Sequence, residues 1–145
     1  MNTPKPLMLL VLGPHRSGTS LVARLLECLG GVNSRTLLPT ASDNPTGFFE
    51  DGDVFHFNYH FLLPALGLEW ANLGTPQWEL LDEDALLQLR AQAVGIIRGN
   101  YTPARPLSIL KDPRMGQFLP FWLPVSCRRP ASAPPLSAAS AIHVL

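Results

Sequence analysis

The chain has 145 residues, 46% of them hydrophobic, and its 11 basic and 11 acidic side chains give a formal net charge of zero. That length holds one domain with room for a core, and a zero net charge excludes a global field that would recruit nucleic acid or an anionic membrane. The apolar run from Leu7 to Leu12 is far short of the ~20 residues that span a bilayer, so it reads as a buried strand and no membrane partner is expected.

Leu7-Met-Leu-Leu-Val-Leu12 is followed by the turn Gly13-Pro-His-Arg-Ser-Gly-Thr-Ser20 and then by a helix start. Strand, glycine-bounded turn and helix N-terminus in that order make an anion cradle. Backbone N–H groups converge on a phosphate or sulfate, and the helix macrodipole adds partial positive charge. The spacing Gly13-x4-Gly18 is that of the Walker A loop, but Thr19 stands where that loop has Lys, and the cation comes earlier, at Arg16. From Thr19 the residues Leu21, Val22, Leu25, Leu26 and Leu29 repeat with a helical period, and Gly30-Gly31 ends the helix.

Residues 32–49 have no period and include Pro39, Asn44-Pro45 and Gly47, which predicts a loop. Asp51 or Asp53 then caps a second helix holding Val54, Phe57, Phe61 and Leu62, up to Pro64. A third helix is capped by Asp82, with acids in its first turn and a stripe of Leu86, Leu89, Ala93, Ile96 and Ile97 before Gly99. Pro106-Leu-Ser-Ile-Leu110 reads as a second buried strand, ending in Lys111-Asp112-Pro113-Arg114. Strand–helix–helix–strand order with short apolar strands predicts a parallel α/β sheet.

After residue 124 the composition changes to Ser, Ala, Pro, Arg and Leu, and Pro130, Pro134 and Pro135 exclude a regular helix or central strand. The expectation is a poorly ordered tail over 125–145, of the kind that a shifted reading frame in a GC-rich gene yields, with a third strand and its loop missing. Cys28 and Cys127 have neither CxxC nor zinc spacing and read as inert thiols, which fits a reducing, cytoplasmic setting. His56 and His60 lie four apart on the second helix, but no third ligand joins them in the HExxH manner, so no metal is expected and His56 is only a reserve base. Trp70, Trp78 and Trp122 read as core or as walls of an acceptor site.

Three segments together carry a family resemblance. His15-Arg-Ser-Gly-Thr-Ser20 resembles the 5′-phosphosulfate loop of sulfotransferases that use 3′-phosphoadenosine 5′-phosphosulfate (PAPS). Asn44-Pro-Thr-Gly-Phe-Phe-Glu50 and Leu110-Lys-Asp-Pro-Arg114 resemble segments of the bacterial, carbohydrate-type and protein-tyrosine branches, in the same order and spacing. The likeness covers about residues 7–123. It implies an α/β fold with a P-loop NTPase-like parallel sheet flanked by helices, incomplete at its C-terminus, with residues 1–124 as the domain and 125–145 as the tail.

The resemblance implies transfer of a sulfuryl group from PAPS to a hydroxyl on a carbohydrate, a small molecule or a protein side chain. It makes Arg16 the cation at the leaving phosphosulfate bridge, with Ser17, Gly18, Thr19 and Ser20 binding the 5′-phosphate. It makes Glu50 the base for the acceptor hydroxyl and Lys111 a holder of the sulfuryl group. The chemistry agrees: the leaving oxygen gains negative charge that a fixed guanidinium stabilises, and sulfuryl transfer demands no magnesium. The family reads the 3′-phosphate with an Arg at the end of a later strand and a Ser some eight residues on. Arg129 and Ser137, with Arg128, imitate that spacing, but no apolar strand precedes them, and the match is taken as accidental.

Two other readings stay open on the sequence. A P-loop kinase or NTPase would use Asp112 as its Walker-B-type acid, against which Thr19 in the lysine position speaks. A truncated or frame-shifted fragment would keep the anion loop and not turn over. Asp112 and Arg114 are expected either to pair and fix their loop or to serve the site.

Overall fold

In the computed structural model, residues 7–71, 74–101 and 107–126 are described. Two strands, β1 (Leu7–Val11) and β2 (Leu107–Lys111), pair in parallel with Leu9 opposite Ile109. Val32 adds a single parallel bridge to Ser108 on the far side of β2: its N–H donates to the Leu107 carbonyl at 3.0 Å, and its carbonyl accepts from Ile109 at 2.8 Å. The spatial order is therefore Val32, β2, β1, with β2 in the middle. The parallel α/β expectation holds at this level, and the one strand-like residue in the 32–49 loop that joins this sheet is Val32.

Helix α1 (Thr19–Cys28) ends as its glycines require. Gly30 has φ 93°, its N–H reaches the Glu27 carbonyl at 2.9 Å, and the Gly31 N–H reaches that of Leu26 at 2.9 Å, the Schellman pattern. Its apolar stripe is less buried than an amphipathic period suggests. Ala23 is buried, but Leu21, Leu25 and Leu29 are exposed at 64%, 54% and 79%.

Helix α2 (Gly52–Phe57) is capped by Asp51, whose carboxylate accepts from the N–H groups of Asp53 and Val54 at 2.9 and 3.0 Å. It runs into a π turn (Asn58–Leu62) and then α3 (Leu63–Ala65), so the helical path does not stop before Pro64. The Leu63 N–H bonds the Asn58 carbonyl five residues back, and this wider turn opens the ladder where Pro64 has no N–H to give. Helix α4 (Glu83–Asn100) is capped by Asp82 and passes through Gly99 to Asn100. Helix α5 (Leu119–Ser126) has no counterpart among the elements predicted from the sequence, and it carries order two residues past the expected domain boundary at 124, with Val125 buried.

These elements make three layers. On one face of the sheet, Val11 and Ile109 pack against Ala23 of α1, with Phe49 at the edge. On the other, Leu110 belongs to one buried cluster with Val54, Phe57, Leu62, Ile97, Phe118, Phe121 and Trp122. Burying such large side chains stabilises the fold by roughly 1.5–3 kcal/mol each. Asn58 is fully buried inside that core and ties three elements. Its Oδ1 accepts from Trp122 Nε1 at 2.9 Å, and its Nδ2 donates to Asp112 Oδ2 at 3.3 Å. Among the described residues no helix is long and apolar enough to cross a membrane. Cys127, Arg128, Arg129, Ser137 and the expected tail beyond residue 126 lie outside the described residues.

Candidate functional site

The carboxyl ends of β1 and β2 open onto a cavity of about 370 Å³. Arg16, Gly18, Thr19, Ser20, Glu50 and Lys111 all line it, together with His15, Asp43, Asn44, Phe48 and Pro113. Six of the seven residues singled out from the sequence thus face one space, although three separate stretches of chain supply them. Ser17 is the seventh. Its N–H and its hydroxyl both go to the Pro14 carbonyl, at 3.3 and 2.7 Å, and it is not among the lining residues.

Local backbone geometry builds the cradle. Gly18 caps α1 in the left-handed region at φ 89°, and Arg16, two residues before it, has φ 64°. An L-residue held there costs about 1–2 kcal/mol, so the fold sustains strain at the one cation of the loop. The turn is also tight: a Cβ on Gly13 would come within 2.7 Å of both Ser17 Oγ and Thr19 Cγ2. The first-turn N–H groups of α1 have no carbonyl one turn back within the helix, and they belong to the same residues, Thr19 and Ser20, that line the cavity.

The opposite wall comes from the Asn44–Glu50 segment. Asn44 Nδ2 holds the Gly47 carbonyl at 2.9 Å, and Gly47 turns at φ 96°. Among the described residues Phe49 is the second non-glycine with positive φ, at 56°, and its ring packs on the α1 side of the sheet. On either side of it, Phe48 and Glu50 line the cavity. The Phe48 carbonyl accepts from Lys111 Nζ at 2.7 Å and from Ser20 Oγ at 3.2 Å, joining the strand end to the anion loop. No sequence signal marks this carbonyl, because any residue has one.

Glu50 and Lys111 form a buried ion pair at 2.8 Å, with the residues 6% and 3% exposed. Neighbouring groups hold the Glu50 segment in place. Asn100 Nδ2 lies 3.1 Å from both oxygens of Asp51 and 2.9 Å from Asp53 Oδ2 and Thr36 Oγ1, pinning the end of α4 to the cap of α2. Burial pushes the Tyr101 phenol well above its ordinary range, and the nearby Asp51 carboxylate adds to the shift.

Asp112 turns away from the cavity. It is fully buried, accepts from the Arg114 N–H at 2.7 Å and lies 3.6 Å from the Arg114 guanidinium. Burial pushes its carboxyl up, against the lowering effect of Arg114, and burial lowers Arg114 in turn. This is the structural alternative for the pair, and it removes the acid that a kinase reading needs from the anion site. His56 and His60 do stack on one helix face at 5.9 Å between ring centroids, and His56 is not among the cavity-lining residues. Among the described residues no group of three His, Cys, Asp or Glu gathers to hold a metal. No family model, curated protein or solved structure matches the chain.

Proposed function

We propose that this chain is a PAPS-dependent sulfotransferase domain that moves a sulfuryl group to a hydroxyl acceptor. The observation that carries the reading is the convergence of Arg16, Thr19, Ser20, Glu50 and Lys111 on one cavity at the carboxyl ends of two parallel strands, where open α/β sheets place their ligands. The residues present suit the 5′-phosphosulfate end of the co-substrate. Two cations and the N-terminus of α1 face a space lined by hydroxyls, without the Walker lysine that a nucleoside triphosphate requires.

In this reading the α1 N–H groups and the Thr19 and Ser20 hydroxyls hold the 5′-phosphate. Arg16 stabilises the charge that grows on the bridging oxygen as its bond to sulfur breaks. Lys111 is paired with Glu50 before the anion arrives. A sulfonate oxygen offers Lys111 a new partner and frees the Glu50 carboxylate from the pair. Glu50 then takes the proton of the acceptor hydroxyl as that oxygen bonds sulfur.

The test is Arg16→Ala in a transfer assay with radiolabelled PAPS. Losing this contact costs on the order of 3 kcal/mol, or roughly a hundredfold in rate, while Arg16→Lys keeps a measurable fraction. Transfer by the Ala variant at the wild-type rate removes Arg16 from the mechanism. Tight, magnesium-dependent ATP binding in calorimetry, with no affinity for adenosine 3′,5′-bisphosphate, overturns the reading in favour of a kinase.

A further inference from the structure

A second cavity of about 580 Å³ runs beside the π turn and α3, lined by Tyr59, His60, Leu63, Leu68, Glu69 and Trp70 among others. The geometry points to this groove as the acceptor site, and to a neutral sugar ring bearing the reactive hydroxyl as its occupant. The inference rests on the sulfuryl-transfer reading and names the substrate class for it.

Trp70 joins the two cavities. It lines the groove, and its ring meets that of His15, a wall of the anion cavity, at 6.1 Å between centroids. A hydroxyl on a ring seated against Trp70 therefore lies beside the space that holds the sulfuryl donor. From there its oxygen bonds sulfur, the bridging sulfur–oxygen bond to the 5′-phosphate breaks, and its proton passes to Glu50.

Two observations select a sugar. The indole is fixed before any ligand arrives: Arg114 lies over its ring at 3.2 Å from the centroid, and Phe55 and Tyr59 meet it edge-on at 5.4 and 5.3 Å. A rigid aromatic plate binds the C–H face of a pyranose at little entropic cost. The Arg114 charge on that ring also disfavours a second cation against it, which argues against an amine ligand. Beside the plate, Tyr59, His60 and Glu69 are exposed and bring a phenol, an imidazole and a carboxylate, donors and acceptors that match several hydroxyls. A flat phenol needs instead a closed apolar slot.

The experiment measures sulfate transfer from PAPS to three acceptors: a neutral hexose tetramer, 4-nitrophenol and a tyrosine-containing peptide. The expected result is preference for the tetramer. Trp70→Ala then raises its KM about tenfold or more, while affinity for adenosine 3′,5′-bisphosphate stays unchanged. Because Trp70 covers the buried Arg114, the exposed-side variants Tyr59→Ala and His60→Ala give the same readout without that risk to folding. Preference for the phenol or the peptide, or a tetramer KM indifferent to all three variants, overturns the sugar proposal and leaves sulfuryl transfer standing. Saturation-transfer NMR separates the other failure. A tetramer signal that Tyr59→Ala abolishes, in a chain that transfers no sulfate to anything, keeps the groove and sinks the transfer reading. Absence of both the tetramer signal and sulfate transfer overturns both.

Discussion

On one face of the sheet, Val11, Ala23 and Ile109 make a thin layer with α1, and the outer leucines of that helix stay exposed. On the other face, the aromatic side chains Phe57, Phe121 and Trp122 are almost completely removed from water, and Asn58 knits the interior with two side-chain hydrogen bonds. The Gly13–Ser20 turn runs from the thin layer, whereas most of the large buried side chains lie on the thick one. The comparison teaches that most of the buried core lies apart from the glycine turn, and mutation can test it from both sides.

The largest effect is expected on the thick face. Trp122→Ala leaves a cavity in the core and strips Asn58 Oδ1 of its donor, so it should cost about 3–5 kcal/mol in urea unfolding. A loss below about 1 kcal/mol would show that this face does not carry the fold. Gly13→Ala probes the anion loop instead. Its new methyl meets Ser17 and Thr19 at 2.7 Å, which predicts a loss of about 1–3 kcal/mol together with weaker binding of adenosine 3′,5′-bisphosphate by calorimetry.

A third test uses pH. Burial raises the Asp112 carboxyl above its ordinary range, so in acid the folded chain binds this proton more readily than the unfolded one. The contribution is therefore full at low pH and lost as pH rises through the raised value. Comparing the wild type with Asp112→Asn from about pH 7 down to about pH 3, the wild type should gain relative stability as the pH falls. A difference that moves the other way would mean that Arg114 outweighs desolvation. The smallest effect is expected on the outer face of α1: Leu25→Ser should change stability by no more than about 0.5 kcal/mol. A larger loss would show that the exposed leucines are covered in solution.

Much of this arrangement is legible in the sequence. The strand-turn-helix run, the Gly30-Gly31 stop and the Asp51 and Asp82 caps each follow from chemistry local to a few residues. Arg16 and Lys111 stand out in the sequence as an Arg in a glycine turn after one apolar strand and a Lys-Asp-Pro at the end of the other, whereas Glu50 is marked only by the family resemblance. Helix α5 is not. It is apolar nearly all round, with Phe121, Trp122 and Val125 buried, so it shows no amphipathic stripe. Its Pro120 is tolerated because first-turn N–H groups have no partner within the helix, whereas Pro124 hides the helix from any rule based on breakers. The π turn escapes for a related reason, since the period that predicts a helix does not register a single wide turn. The partial exposure of α1 is invisible too, because an apolar stripe states what could be buried and not what there is to bury it against.

The backbone at Arg16 and Phe49 has a consequence for how this sequence can change over time. Both are ordinary L-residues held in a conformation that glycine adopts freely; Arg16 lines the cavity, and Phe49 stands between two residues that do. At each position, glycine is the substitution that relieves the backbone, and it is also the one that deletes the guanidinium or the ring wedged beside the sheet. Selection for robustness alone would drift both sites toward glycine. At Phe49 the packing of the ring against Val11, Ala23 and Ile109 offsets that pressure, whereas the exposed Arg16 side chain has no such burial to offset it.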